Sequence, residues 1–182
     1  MDIGTAANIA EIAGGIAILV SLIYVGFQVK QSNKIASASA LQSVLEGYAN
    51  RSLNYYLEHP EIMDVLACGH HAYDDLSFEN QTIFNAWTNS EIFQLQNVQQ
   101  FYGHRLISRV EYDTWLAFVS AQMKTPGGNQ CWNRQKVSYS PTIVNAVDSY
   151  LADNPSALSI MELYPDAYGE AAYDRAKEKL VR

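Results

Sequence analysis

Residues 12–29 contain no formal charge, and Glu11 and Lys30 bracket them. A run of this kind leaves a chain few choices, because its apolar surface must leave water. At about 1.5 Å per residue it makes ~27 Å of helix, close to the ~30 Å hydrocarbon core of a bilayer. A cleavable signal peptide would need a basic start, whereas Asp2 and Glu11 are the charges that precede this run. A buried core helix is usually shorter, and an in-plane amphipathic helix would need a polar face that the run lacks. The sequence therefore predicts one transmembrane helix, an anchor over residues 1–30. Tyr24 and Phe27 stand near one end of it, at headgroup level.

Charge asymmetry predicts its orientation. Lys30 and Lys34 follow the span and nothing basic precedes it. The positive-inside rule places the N-terminus outside and the following domain in the cytoplasm. Within the span, Ala7, Ala10, Gly14, Ala17 and Ser21 recur at spacings of three and four residues. Such a seam of small side chains lets two membrane helices approach closely, and it makes the anchor a candidate packing face for self-association or for another membrane protein. The competing reading is simply that alanine and glycine are common in membrane spans.

The remainder predicts an all-α domain over residues 31–154, with a C-terminal extension over residues 155–182 that ends in a final helix. Helical spacing of Ala38, Leu41, Leu45, Tyr48, Ser52 and Tyr55 continues the anchor into the domain without a break. Pro60 suits the first turn of a short helix reaching about Gly69. Ser77 with Glu79 opens another, whose apolar face is Phe84, Trp87, Leu95, Val98 and Tyr102, with Gly103 near its end. Ser108 and Glu111 form a capping box ahead of Trp115, Phe118 and Val119. Thr125-Pro126-Gly127-Gly128 reads as a break before a short helix bearing Cys131 and Trp132. Ser140-Pro141 starts a helix with Ile143, Val144, Val147 and Leu151 inward, and Asn154-Pro155 ends it. No stretch combines strand patterning with turn chemistry.

Composition excludes some functions. The chain has 12 Lys+Arg against 19 Asp+Glu, a net charge of -7, and its cations form no run. Nucleic acid is a poor partner for such a surface, since phosphate contacts supply most of that affinity. Cys68 and Cys131 are far apart and predict two free thiols rather than a disulfide framework. Glycine-rich phosphate loops, nucleophile elbows and Cys–His nucleophile patterns are absent.

The stretch Leu22-Ile23-Tyr24-Val25-Gly26-Phe27-Gln28-Val29-Lys30-Gln31-Ser32-Asn33 resembles the anchor-exit signature of a widespread family of uncharacterised bacterial single-span inner-membrane proteins. Pro126-Gly127, Trp132 and Ser140-Pro141 follow in that family's order, and the likeness covers most of residues 10–151. Cys131 departs from it, standing where a second aromatic residue usually precedes the tryptophan. The resemblance implies a bacterial inner-membrane helical protein and implies no activity.

Two groups of residues could carry chemistry. His70, His71, Asp74 and Asp75 offer imidazole and carboxylate ligands for a metal. Adjacent histidines on a helix diverge by about 100°, however, so a shared ion would require a loop there. The alternative is a polar connector between two helices. Glu91 falls on an apolar stripe between Trp87 and Leu95, and burial would perturb it, with Arg105 and Arg109 as candidate partners for it or for other acids. No cofactor is implied. The leading expectation is a membrane-anchored interaction or scaffold protein, either a homo-oligomer or an accessory subunit of a larger complex. The alternatives are a metal-dependent enzyme using the His70-His71/Asp74-Asp75 cluster, and a sensor holding an apolar ligand.

Overall fold

The computed structural model describes residues 3–50 and 58–180, apart from the side chains at positions 3, 5–7, 9 and 10. It is all-α, with no strand among the described residues. Helix α1 (Ile3–Ala49) is followed by α2 (Glu61–His71), α3 (Phe78–Gly103), α4 (Arg109–Met123), α5 (Pro126–Gln135) and α6 (Pro141–Asp153). Two one-turn helices, α7 (Ile160–Leu163) and α8 (Pro165–Tyr168), lead to α9 (Glu170–Leu180).

α1 has 47 residues and is long and apolar enough to cross a membrane. All residues from position 11 to position 36 are exposed, and burial begins at Ala40. The face that docks is Ala40 and Val44, which are buried with Val98 and Ile107. Tyr48 continues it, edge-on to Trp115 and Phe118 at 5.4 and 5.9 Å. Of the helically spaced residues that carry the anchor into the domain, Leu41 and Tyr48 are half-buried, and Ala38 and Leu45 are exposed. This stretch has apolar residues on several faces, so periodicity alone does not select the one that meets the domain. Ser52 and Tyr55 lie outside the described residues.

Caps set the other boundaries. Ser77 accepts from the Asn80 amide, and Ser108 and Glu111 exchange both bonds of a capping box. Ser140 caps α6, with Pro141 in its first turn. The break expected at Thr125-Pro126-Gly127-Gly128 falls between α4 and α5, where Thr125 caps α5 and accepts from the Gly128 amide at 3.0 Å, so Pro126, Gly127 and Gly128 form the first turn of the new helix. A proline at the first helical position loses no hydrogen bond.

The C-terminal segment packs as part of the domain. α9 lies along α2, with Ala172 and Ala176 buried against Ala67 and Cys68. Lys179 pairs with Asp64 at 2.9 Å across the same contact. Small residues on both helices allow the close approach. Lys124 holds the start of the segment, donating to the carbonyls of Asn154 at 2.8 Å and Pro155 at 3.0 Å and to that of Ala157.

Candidate functional site

The histidine–aspartate cluster is split among four environments. His70 and His71 are the last two residues of α2, while Asp74 and Asp75 lie in the turn that connects it to α3, and His70 is fully buried. Its Nδ1 lies 3.1 Å from Thr125 Oγ1, and its ring meets Phe84 and Tyr168 edge-on. Burial, with help from neighbouring His71, lowers its pKa to about 3, so the imidazole is neutral. His71 points elsewhere, with Nε2 at 2.9 Å from the Tyr168 carbonyl oxygen and its ring stacked on Tyr173. Asp74 forms an ion pair with Arg134, whose guanidinium also sits over Tyr73. Asp75 is exposed at the rim of a cleft. Among the described residues, no three His, Cys, Asp or Glu side chains converge as metal ligands would have to.

The reason for this divergence is the crossing of α2 and α5. A Cβ on Gly127 would lie 1.8 Å from the Gly69 carbonyl oxygen, and one on Gly69 would lie 2.2 Å from the Phe84 ring. The two backbones touch, which drives His70 into the N-cap of α5 and turns His71 outward toward α9. Sequence reasoning missed this contact, because a glycine pair beside a proline carries the same signature in a turn as in a close crossing.

Cys131 belongs to a buried polar ladder instead of a nucleophilic pair. Asn85 Oδ1 accepts from the Tyr73 hydroxyl at 2.9 Å, from the Cys131 thiol at 3.4 Å and from the Gln135 amide. Tyr139 continues the ladder, donating to Gln135 Oε1 at 2.9 Å. Burial raises the Cys131 thiol to about 11 and the Tyr139 hydroxyl to about 12, so both stay protonated and serve as donors. Trp132 stacks on Tyr139 and donates to Asp148 at 2.7 Å, while Lys136 reaches the other Asp148 oxygen at 3.1 Å. Both cysteines are free and buried.

Glu91 is fully buried, as its place on the stripe suggested. Of the two arginines named as partners for it or for other acids, Arg109 pairs with Asp113, and Arg105 is exposed. Among the clefts in the domain surface, two lie beside residues already described. One of about 340 Å³ is bordered by Cys68, Leu76, Ser77, Asn80 and Lys177. The other, about 230 Å³, is lined chiefly by aromatic and apolar side chains, among them Tyr48, Trp87, Phe118 and Tyr164.

The largest uncovered apolar surface is α1 itself. Gly14, Ala17 and Ser21 are exposed on it, and nothing approaches the position a Gly14 Cβ would take. Ser21 donates to the Ala17 carbonyl at 2.8 Å, which satisfies its hydroxyl within the helix. Ala7 and Ala10 belong to α1, but their side chains lie outside the described residues. At its other end α1 is fixed, since buried Gln94 of α3 donates to the Val44 carbonyl at 3.0 Å. No family model, curated protein or solved structure matches this chain.

Proposed function

We propose that the chain is a membrane-tethered helical interaction module, assembling with a second copy or with a larger membrane complex through α1. The observation that carries this reading is the contrast along one helix. Every residue from position 11 to position 36 is exposed, while the last turns of the same helix are docked on the domain. The apolar part of that surface, residues 12–29, is stable in lipid and costly in water. The seam through Gly14, Ala17 and Ser21 is the face on which a second membrane helix would pack. The likeness of the exit motif to a family of single-span proteins supports a bacterial inner membrane, and Lys30 and Lys34 support a cytoplasmic domain.

Purification from membranes in mild detergent, with light scattering to measure the protein mass, tests the assembly. A dimer or a co-purifying membrane protein is expected, lost in Gly14→Leu and Ala17→Leu variants. A monomer without a partner, or an assembly indifferent to both substitutions, would overturn the reading.

The aromatic cleft beside Tyr48 favours a second reading, a sensor for a small apolar ligand. Its volume suits only a small molecule. Mass spectrometry of solvent extracts from the purified protein would decide: a stoichiometric apolar compound supports it, and a clean extract counts against it.

A further inference from the structure

Cations are common at the domain surface, but most are engaged. Arg109, Arg134, Lys136 and Lys179 form ion pairs, and Lys124 is ringed by carbonyls. Lys177 bonds to Tyr173 and Arg175 to the Asp166 carbonyl. Among the described residues, Lys30, Lys34 and Arg105 have no such partner, and they are far apart in sequence.

The fold brings them to one end. α3 runs antiparallel to the docked part of α1: Trp87 shares a cleft with Tyr48, and Gln94 bonds to Val44. Eleven residues beyond Gln94, the turn from α3 into α4 therefore lies on the anchor side of Val44, where Leu106 and Ile107 pack with Ala40. Arg105 is at the tip of that turn. Eleven residues of α1, about 16 Å, separate the end of the apolar run at Val29 from Ala40, which is buried on the domain. The headgroup layer occupies ~5–7 Å of that distance, and an extended arginine side chain spans much of the remainder.

Acidic side chains near the same end are engaged, Glu111 by the Ser108 cap and Asp113 by Arg109. Residues 12–45 and 92–110 contain Lys30, Lys34, Arg105 and Arg109 and no Asp or Glu. These four charges are part of the net -7, so the rest of the chain carries -11. The backbone at the tip points the same way. α3 ends in a Schellman turn, with Leu106 N–H donating to the Phe101 carbonyl and Arg105 N–H to that of Tyr102. The residue in the left-handed position is Arg105, at φ 59°. Glycine fits that position better, so an exposed arginine there is not explained by the fold.

Resting on the reading that α1 spans a bilayer, we propose that Lys30, Lys34 and Arg105 form a cationic collar that seats the domain on anionic phospholipid headgroups. The acidic remainder of the domain is repelled by the same surface, so the collar also fixes which end faces the membrane. A lysine or arginine held at an anionic surface changes such an equilibrium by a factor of about five.

The test uses the full chain with a dye on a Gln100→Cys thiol near the tip, Cys68 and Cys131 being buried. Energy transfer to a headgroup-labelled lipid is measured in phosphatidylcholine vesicles and in vesicles with roughly a third phosphatidylglycerol. Transfer is expected to rise in the anionic vesicles, and the rise to shrink in high salt. Lys34→Gln and Arg105→Gly should each weaken that seating about fivefold. Arg105→Gly removes the charge while relaxing the backbone, so misfolding cannot account for its effect. Equal transfer in both vesicles, or a rise untouched by both substitutions, would overturn the collar while leaving the anchor in place. A chain that floats with neither vesicle would overturn both.

Discussion

His70 Nδ1 lies 3.1 Å from Thr125 Oγ1, and proton counting fixes the tautomer. The threonine hydroxyl donates its one hydrogen to the Gln122 carbonyl at 2.9 Å and accepts from the Gly128 amide. Its remaining role toward His70 is as acceptor, so Nδ1 carries the imidazole proton. A single buried histidine thus joins the end of α2 to the cap of α5.

Stability is expected to depend on that neutral form. The folded pKa of His70, about 3, is below the ordinary 6.5. The unfolded chain therefore binds the extra proton first, and the stability is present above pH 6.5 and lost as pH falls toward 3. The slope should approach ~1.4 kcal/mol per pH unit inside that window. Glu111 and Glu162, whose pKa values are lowered by capping bonds to Ser108 and Ser159, add their loss only below the ordinary carboxylate range. Urea titrations between pH 7 and pH 5 would read the histidine, and a His70→Asn variant, which keeps a donor, should flatten the slope. An unchanged slope in that variant would assign the pH dependence elsewhere.

Gly127→Ala should destabilise the domain by about 3 kcal/mol or prevent folding, because the new methyl meets backbone atoms that cannot rotate away. Gly14→Ala, with open space around it, is expected to leave domain stability within ~0.5 kcal/mol. Thermal melts of the two variants side by side separate these outcomes.

Arg105→Gly is expected to raise stability by about 1 kcal/mol, since the left-handed position at φ 59° penalises any residue with a Cβ. Lys at the same position should leave the melt unchanged. A destabilised glycine variant would mean that the arginine side chain supports the fold itself.

Much of this architecture was legible in the sequence. Ser77, Ser108 with Glu111, and Ser140-Pro141 begin helices because their capping chemistry is local. The uncharged run over residues 12–29 predicts a membrane-spanning helix, and α1 is long and apolar enough to cross a membrane. Tertiary choices were harder to read. Gly103, expected to mark the end of α3, is its last helical residue, and the left-handed cap falls two positions later on Arg105, which carries no such signal. Gly127 is fixed by a neighbour more than fifty positions away, and His70 is buried by the same contact. The docking of α9 depends on four small residues, Ala67, Cys68, Ala172 and Ala176, that leave only a weak pattern.

Lys124→Met should loosen the segment after α6 rather than the whole domain. The substitution keeps the apolar stem and removes the charge-assisted bonds to the carbonyls of Asn154, Pro155 and Ala157, a loss of about 2 kcal/mol. Hydrogen exchange should accelerate around Ser156–Leu163 while the amides of α4 stay protected. Uniform acceleration would show that the segment and the core unfold as one unit.

Alkaline carbonate extraction of membranes from cells expressing the full chain tests the anchor most directly. Retention in the pellet is expected, with release to the supernatant when Ile16, Leu19 and Ile23 are replaced by lysine, which places charge in the hydrocarbon. Release of the unaltered chain by carbonate would contradict a membrane-spanning α1.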